Sequence, residues 1–401
     1  MTDARFPAQR QHWLLDEGIT FLNHGSFGAC PRVVLAEQAR LRDEMEREPV
    51  RFLWREIEQR IDAARSVLAR FLGADAGDVA FVTNATGAVN AVVRSLKLQP
   101  GDEVLIPDHG YNACRNVLEE AARRSGARVV VASVPFPIEG PEAVTAAVLR
   151  AVTERTRFVL IDHITSPTAL VFPVEEMVRA LESRGIPVMV DGAHAPGMLP
   201  LNLRELGASY YTGNLHKWVC APKGAAFIFA RRDRQAGLHP ATLSHGYNTP
   251  REGRSQFHDE FDWQGTLDVT AWLSVPAAIA FCEGLMPGGF PALMRRNHEL
   301  AVAARTLLCE RLGVAAPCPE SMLGSMATLP LPERFQDRDT TSRSVISRFD
   351  PLQTRLFEAH GIEVPLIRFG SPARRWFRVS AHAHNALADY ERLAAALLDE
   401  A

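Results

Sequence analysis

The 401-residue chain carries 44 basic and 47 acidic side chains, a formal net charge of -3 at pH 7. This balance gives no electrostatic reason to expect nucleic acid or an anionic membrane as a partner. Hydrophobic residues make up 47% of the chain, as in globular proteins, and no apolar run is long enough to span a membrane. Because the length exceeds what one core usually supports, a large domain and a smaller one are predicted.

The cysteines and the first residues bear on where the protein works. The six cysteines are scattered and form no Cys-x-x-Cys pair, which argues against a zinc site and against a disulfide framework. Residues 1–15 are mixed polar and lack the apolar core of a signal peptide. These patterns predict a cytoplasmic protein with reduced thiols and no bound metal.

The first patterned segment, residues 20–28, is a short apolar run that ends in a glycine-spaced turn. After it, Pro31 opens a stretch in which apolar residues recur every three or four positions. That spacing predicts a helical stretch to about Leu72, which we expect to serve as a scaffold or a subunit contact.

From residue 79 to residue 232 the pattern alternates between strands and helices. This order predicts right-handed crossovers and a mostly parallel sheet covered on both faces, with ligands at the carboxyl ends of the strands. The predicted strands are residues 79–82, 103–106, 128–133, 158–162, 188–191, 210–212 and 225–229, and the predicted helices are residues 87–96, 112–125, 141–152 and 174–184.

From about Leu273 onward, longer helices precede a few strands, which agrees with a smaller second domain. Residues 330–350 are polar and are predicted to form a loop or a surface excursion. The predicted helices are residues 277–285, 290–312 and 386–398, and the predicted strands are residues 326–331, 362–367 and 376–379.

Polar side chains follow several of the predicted strands. The small residues of the turn 83–88 would let backbone N–H groups face a phosphate, although an ordinary turn has the same pattern. That turn has neither the Walker nor the Gly-x-Gly-x-x-Gly spacing, so nucleotide binding is not specifically supported. His109 and Tyr111 follow the second strand, where either could stack on a ring-shaped ligand or simply lie in the loop. Asp191 ends an apolar strand, and a buried carboxylate there needs a partner.

Lys217 stands on a turn between two apolar strands in a chain with only three lysines, Lys97, Lys217 and Lys223. Lysine, unlike arginine, can form a Schiff base once its pKa is lowered, although a surface lysine in a loop is the alternative. A lysine for an imine, an aspartate for a ring nitrogen, a planar side chain for the ring face and a phosphate nest are what pyridoxal phosphate requires. The sequence therefore predicts this cofactor, with Lys217 as the base that moves the Cα proton.

These residues resemble the class V aminotransferase superfamily of fold-type I pyridoxal-phosphate enzymes, and within it the isopenicillin N epimerase-like group. The Asn-Leu-His-Lys-Trp segment around Lys217 is specific to that group. The resemblance implies an α/β fold: an N-terminal segment at residues 1–30 near the active site, a large cofactor-binding domain at 31–272 with a mostly parallel seven-stranded sheet, and a small C-terminal α+β domain at 273–401. The likeness is carried by residues 21–28, 83–87, 162–168, 191–194, 213–224, 262–268 and 378–381.

The resemblance also implies roles for single residues. Lys217 would carry the cofactor as an internal aldimine, Asp191 would bind the pyridine nitrogen, and Tyr111, rather than His109, is favoured to stack on the ring. Arg378 would grip the substrate α-carboxylate with its guanidinium fork, a surface arginine being the alternative. The other implied residues are His194 and Ser166 near the phenolic oxygen, Asn84, Ala85, Thr86, Asn214 and His216 at the phosphate, Asn23 and His24 at the substrate, and Thr266, which would reach the phosphate of the neighbouring subunit in a homodimer with shared sites. After Ser380 the chain departs from the family's Gln-x-Tyr-Asn pattern and has His382-Ala383-His384-Asn385 instead.

The reaction is the least determined feature. Residues 361–371 contain no cysteine where cysteine desulfurases of the superfamily carry their nucleophile, so desulfuration is disfavoured. The leading interpretation is an epimerase that acts on an α-amino acid through an external aldimine and Cα deprotonation, with a β-eliminating C–S lyase like the hercynylcysteine sulfoxide lyases second and an aminotransferase third. A non-catalytic α/β binding protein is the alternative from another class. Epimerisation needs a second acid/base opposite Lys217, and the candidates are Tyr111, His24, His245 and Tyr247.

Overall fold

The computed structural model describes residues 5–249, 251–336 and 350–400. The strands are β1 (Thr20–Phe21), β2 (Val79–Val82), β3 (Glu103–Pro107), β4 (Arg128–Ala132), β5 (Thr156–Asp162), β6 (Val188–Asp191), β7 (Tyr210–Asn214), β8 (Ala226–Ala230), β9 (Met326–Pro330), β10 (Ile362–Glu363), β11 (Leu366–Phe369) and β12 (Arg374–Ser380). The α-helices are α1 (His24–Phe27), α2 (Arg32–Arg47), α3 (Ile57–Leu72), α4 (Ala85–Ser95), α5 (Asn112–Ser125), α6 (Glu142–Ala151), α7 (Val174–Glu182), α8 (Leu203–Leu206), α9 (Gln256–Asp262), α10 (Thr270–Leu273), α11 (Val275–Gly284), α12 (Gly289–Leu312), α13 (Pro351–Glu358) and α14 (Leu387–Asp399).

A seven-stranded sheet in the order β2-β8-β7-β6-β5-β3-β4 forms the centre of the large domain. Only β8 runs antiparallel to its neighbours, so the predicted mostly parallel sheet of fold type I is confirmed. Successive residues of a strand enter different cores: Phe81 stacks on Trp272 of α10 and shares a core with α3, whereas Ala80 and Val82 share the other core with α4 and α9. Both faces are therefore covered, which explains the uninterrupted apolar runs of the strands.

The single helical stretch predicted for residues 31–72 is wrong in its middle. Helix α2 ends at Arg47, a π-helical turn occupies Arg51–Glu56, and α3 begins at Ile57. Glu48 lies between them with extended-type angles, φ -155° and ψ 85°. The cause is Pro49, because a proline ring disfavours the helical conformation of the residue before it.

The second part of the chain builds a three-stranded antiparallel sheet in the order β11-β12-β9, against which α12 packs. The one strand predicted at residues 362–367 is two strands separated at Pro365: β10 pairs in parallel with β1 from the N-terminus, and β11 pairs with β12. Most of the loop predicted at residues 330–350 lies outside the described residues, and its described part contains the 3-10 turn Glu333–Phe335. The domain boundaries at residues 30 and 272 stay a prediction.

Within the described parts of the chain, no helix taken singly has the length and apolar character that crossing a membrane requires. The bent pair Thr270–Gly284 and Gly289–Leu312, with 70° between its members, meets that criterion only when both are taken together. The six cysteines are all free thiols.

Candidate active site

Lys217 lies in the turn after β7, at the edge of the sheet where the parallel strands end. Its amine is enclosed, and Nζ is 3.1 Å from His194 Nε2. Burial, reinforced by the nearby positive charge of Arg378, lowers the pKa of Lys217 to about 7. A large fraction of the amine is therefore neutral near neutral pH, which is the state that can attack a carbonyl.

His194 is held between Lys217 and Trp218. The indole Nε1–H of Trp218 donates to His194 Nδ1 over 3.5 Å. Burial, together with the positive charge of Lys217, keeps the pKa of His194 well below its usual value, so the ring is neutral. Since Nδ1 accepts, Nε2 carries the hydrogen and donates to the lone pair of a neutral Lys217 amine.

Two acidic side chains, Asp191 and Asp162, lie at the adjacent ends of β6 and β5, where their Cα atoms are in register. Asp191 accepts hydrogen bonds from Cys114 Sγ at 3.2 Å and from the Ala193 N–H at 3.0 Å. Burial raises the pKa of Asp191. Burial and the neighbouring charge of Asp191 raise the pKa of Asp162 well above its usual value, against the hydrogen bond it accepts from the Tyr111 N–H. In the described residues, no cationic side chain is hydrogen-bonded to either carboxyl group.

The start of α4 and the end of β7 meet beside this acidic pair. Asn84 caps α4 by accepting the Gly87 N–H at 2.8 Å, and Asn214 Oδ1 accepts the Ala85 N–H at 2.9 Å. His216 Nδ1 donates to the Ala225 carbonyl at 3.2 Å. Asn84, Ala85 and Asn214 are thus neighbours at a helix N-terminus, where the helix dipole favours an anion.

Arg378 on β12 is buried and has no acidic side chain as a partner in the described ranges of the chain. Its Nη1 donates to the Ser166 carbonyl at 2.5 Å and to Ser166 Oγ at 3.3 Å, and its Nη2 donates to Ser26 Oγ at 3.1 Å. Nε has no hydrogen-bond partner in the described structure. Burial lowers the pKa of Arg378 to about 10. A buried guanidinium that lacks a carboxylate is costly, so this geometry suits an anionic ligand.

The two substrate-side residues predicted near the N-terminus contact other protein groups. Asn23 accepts a hydrogen bond from Ser26 Oγ at 2.5 Å and donates to Glu363 Oε1 at 2.8 Å. It therefore orients the serine that contacts Arg378. His24 is completely buried and lies behind the backbone of Lys217.

The two ring-stacking candidates differ in their surroundings. His109 is fully buried, with Nδ1 2.7 Å from Thr168 Oγ1 and Nε2 donating to the Val134 carbonyl at 3.1 Å. Tyr111 is about half exposed, and its hydroxyl is close enough to raise the pKa of Arg378. Of the two, only the tyrosine side chain reaches the site while facing solvent.

The remaining predicted residues lie elsewhere on the surface. Thr266 is exposed in the segment after α9, beside Gly265 with φ +114°. His245 and Tyr247 belong to a 3-10 turn that packs on α9, where the Tyr247 ring contacts His239. No contact between these three residues and Lys217 occurs in the described structure.

Four buried side chains support the Lys217 backbone from behind. His24 Nε2 donates to the Lys217 carbonyl at 3.0 Å, and His24 Nδ1 is 3.1 Å from His384 Nε2. Cys220 Sγ lies 3.5 Å from His382 Nε2. Although His24, Cys220 and His382 lie close enough to hold a metal ion, the His24 and His382 rings stack at 4.2 Å and 13°. Their lone pairs lie in the ring planes and do not converge, so the arrangement is that of a hydrogen-bonded support.

Sequence reasoning missed Asp162, Cys114 and Ser26. Asp162 had the same signal as Asp191, a carboxylate at the end of a strand with an apolar middle, and could have been found. Cys114 occupies an apolar position of α5, and Ser26 is one serine in a turn. Neither has a local signal, because their partners Asp191 and Arg378 are far away in sequence.

The comparisons with known proteins agree with this geometry. The family model described as "Aminotransferase class-V" matches residues 20–340. The chain belongs to the class V aminotransferase family. Isopenicillin N epimerase of Streptomyces clavuligerus is 33% identical over 99% of this chain and 98% of the relative, and a probable chloroplastic L-cysteine desulfhydrase of Arabidopsis thaliana is 32% identical over 94% and 82%. A structure of the cystine C–S lyase C-DES with cysteine persulfide superimposes with a TM-score of 0.78 at 19% identity, covering 96% of this chain and 98% of that one.

This family member is a pyridoxal-phosphate-dependent enzyme. The side chains described above fit the cofactor on chemical grounds. A neutral lysine amine suits a Schiff base, and a buried carboxylate without a cationic partner suits a protonated ring nitrogen. The capped start of α4 suits a phosphate.

Proposed function

We propose that the enzyme acts on an α-amino acid by removing and returning the Cα proton, as an isopenicillin N epimerase-like epimerase. The observation that carries the proposal is the enclosure of a neutral Lys217 amine together with Arg378, a buried guanidinium without a carboxylate partner. Arg378 would bind an amino acid by its carboxylate, and Lys217 would hold the cofactor and move the Cα proton. The two epimerase relatives, 33% and 34% identical over nearly the whole chain, support this reading.

In this proposal the protein groups divide the work. Arg378, held by Ser166 and Ser26, binds the substrate carboxylate through a bidentate ion pair. Asp191 would pair with the pyridine nitrogen, the start of α4 would hold the phosphate, and His194, which contacts the Lys217 amine, would lie near the phenolic oxygen. When bound, pyridoxal phosphate supplies an electron-withdrawing ring that stabilises the negative charge left on Cα.

Epimerisation also needs a proton donor on the side of Cα away from Lys217. We propose Tyr111, because its side chain is solvent-accessible and near Arg378, whereas His24 is enclosed behind Lys217 with both ring nitrogens hydrogen-bonded. A tyrosine hydroxyl can both donate and accept a proton. The expected signature is loss of racemisation in Tyr111→Phe with retention of Cα proton exchange from the Lys217 side.

The deciding experiment incubates the holoenzyme with L-amino acids in heavy water. Deuterium incorporation at Cα with accumulation of the D-enantiomer supports epimerisation, and both should vanish in Lys217→Ala. The matched control is Lys97→Ala, since Lys97 is an exposed lysine of the same chain. Absence of Cα exchange with every amino acid tried would contradict the proposal.

The second candidate is a β-eliminating C–S lyase. The favouring observation is that relatives named L-cysteine desulfhydrase are 30–32% identical over 94–98% of this chain. Elimination needs Lys217 and a leaving group, but no proton donor opposite. Release of pyruvate and sulfide from L-cysteine, undiminished in Tyr111→Phe, would favour this candidate over the epimerase.

We also propose a homodimer in which Thr266 of one copy contacts the cofactor phosphate of the other. The exposure of Thr266 beside an open glycine turn supports this arrangement.

We further propose that the chain divides into domains at residues 30 and 272. The pairing of β1 with β10 ties the N-terminal segment to the small domain and supports treating that segment separately from the large domain.

A further inference from the structure

Cys114 is a buried thiol aimed at the end of β6, and the proposed function gives it no role. It lies in the first turn of α5, and its Sγ is 3.2 Å from Asp191 Oδ2. The other carboxylate oxygen, Oδ1, accepts the Ala193 N–H at 3.0 Å. The two oxygens of Asp191 thus have one protein donor each, and the carboxylate is fixed in orientation.

The direction of the Cys114 hydrogen bond is settled by its surroundings. Burial and the charge of Asp191 raise the pKa of the Cys114 thiol well above its usual range. The sulfur therefore keeps its hydrogen and acts as a donor. A thiol is a weak donor, but in a buried site even a weak donor stabilises a carboxylate, because no water replaces it.

Cys114, Asp191 and Asp162 form a buried cluster, and Asp162 decides how many negative charges it carries. Asp162 lies beside Asp191 on the neighbouring strand, and two ionised carboxylates at this buried strand end would repel each other. Burial raises the pKa of both carboxyl groups, but that of Asp162 is raised further, because the charge of Asp191 adds to the burial, whereas the Cys114 and Ala193 donors act against it at Asp191. We therefore assign the proton to Asp162. The cluster then has a single negative charge, on the carboxylate that Cys114 and Ala193 contact.

We propose that Cys114 is a positioning residue that keeps Asp191 ionised, so that the proton shared by Asp191 and the cofactor's ring nitrogen stays on the nitrogen. Such a pair exists as a pyridinium–carboxylate ion pair or as a neutral pair with the proton on the carboxyl oxygen. Donors to the carboxylate stabilise its charged form and favour the ion pair. A protonated ring nitrogen withdraws electrons more strongly, so the thiol would assist the loss of the Cα proton without touching substrate.

The test reads the ring nitrogen directly. Holoenzyme is reconstituted with pyridoxal phosphate labelled with nitrogen-15 in the ring, and the nitrogen chemical shift of the resting enzyme is measured at several pH values. Cys114→Ala should move the signal toward the unprotonated position and slow Cα deuterium exchange by about 2- to 10-fold. Cys114→Ser, which restores a donor, should return both toward wild type.

Two further variants separate the hydrogen bond from packing. Cys114→Val fills the space without a donor and should behave as Cys114→Ala. Cys318→Ala removes another buried thiol, one that lies against Arg305, and should leave the nitrogen signal unchanged. If the ring nitrogen is protonated in the wild-type enzyme and its chemical shift is unchanged in both Cys114→Ala and Cys114→Val, the role of Cys114 is wrong. The proposed function would not be affected by that result.

The inference rests on the proposed role of Asp191, and the same spectra test that role separately. An unprotonated ring nitrogen in the wild-type enzyme would contradict the Asp191 assignment itself. Because the resting enzyme is observed without substrate, neither result depends on which amino acid the enzyme converts.

Discussion

At the scale of single residues, Lys217 and Arg378 are two basic side chains enclosed in the same site without an acidic hydrogen-bond partner among the described residues. Burial lowers the pKa of both, and the charge of Arg378 adds to the effect on Lys217. Ser26 and Ser166 contact the guanidinium but carry no charge to neutralise it. The neutralising negative charge therefore has to come from a bound ligand, and this leads to predictions for Arg378 and for the turn that carries Lys217.

Replacing Arg378 with lysine should raise KM for the amino acid by about 10- to 100-fold and change kcat less, because a bidentate ion pair is lost while Lys217 stays in place. Steady-state kinetics on the holoenzyme measure both constants. Arg374→Ala is the matched control, since Arg374 lies on the same strand and pairs with Glu333 at the surface. An unchanged KM in Arg378→Lys would remove Arg378 from carboxylate binding.

Gly28 should be the glycine at which a methyl group is least tolerated near Lys217. It has φ +70°, and a Cβ there would lie 2.0 Å from the His216 carbonyl oxygen and 2.9 Å from Lys217 Cα. Gly28→Ala should therefore lower the free energy of unfolding beyond the about 1–3 kcal/mol of backbone strain at φ +70° and ψ 160°, and it should weaken cofactor retention. Urea unfolding and the bound-cofactor absorbance measure the two effects.

Gly101→Ala separates strain from contact. Gly101 has φ +89°, but no heavy atom lies within 4 Å of its added Cβ. The Gly101→Ala variant should lose only about 1–2 kcal/mol of unfolding free energy and should keep its cofactor. Equal losses in the two variants would show that the contact with the Lys217 turn is unimportant.

At the scale of elements, a histidine cluster formed by His24, His382 and His384 joins α1 to the turn before α14, behind the lysine turn. Burial keeps the pKa values of His382 and His384 well below their usual range. The unfolded chain therefore binds more protons than the folded one below about pH 6.5. Stability is fully present above that pH and falls as the pH decreases.

Each of the two histidines should remove about 1.4 kcal/mol of unfolding free energy per pH unit below about pH 6.5. Urea unfolding at pH 7.5 and pH 5.5 measures the loss. In His382→Gln, the difference between the free energies of unfolding at the two pH values should be smaller, whatever the absolute stability of the variant. If this difference in unfolding free energy is as large in His382→Gln as in the wild type, His382 does not contribute to the pH dependence of stability.

The sequence predicted elements well where the signal is local and poorly where it is not. Most strands of the central sheet have an apolar middle, Asp191 is the last residue of β6, and Lys217 follows β7 by three residues. The predicted helix breaks near Pro49 and the predicted strand breaks near Pro365. Each proline is a local signal for a break, but the apolar spacing around it continues the pattern of a helix or a strand. The bond from Cys114 to Asp191 joins residues 77 positions apart and depends on how α5 packs on the sheet. No periodicity could have indicated it.

At the scale of the whole molecule, the proposed homodimer predicts complementation between inactive copies. Lys217→Ala removes the amine of a copy's own site, and Thr266→Glu places a negative charge against the phosphate of the neighbouring site. In a mixed dimer one site carries both changes and the other carries neither. Random mixing of equal amounts should therefore restore about a quarter of wild-type activity.

Co-refolding the two variants and assaying the mixture measures this restoration. Each variant alone serves as the control, and both should be nearly inactive. A mixture no more active than its components would show that Thr266 serves the site of its own copy or none.

The pairing of β1 with β10 has a consequence for synthesis on the ribosome. Residues 20–21 are made long before their strand partners, residues 362–363, and His24 can meet His384 only after residue 384 has been added. A nascent chain can therefore contain Lys217, Asp191 and the whole central sheet while the lysine turn still lacks its support. Chains terminated shortly after residue 272 would include Lys217 and Asp191, yet they would lack Arg378 as well as His382 and His384. Translation has to pass residue 384 before the lysine turn has its histidine support.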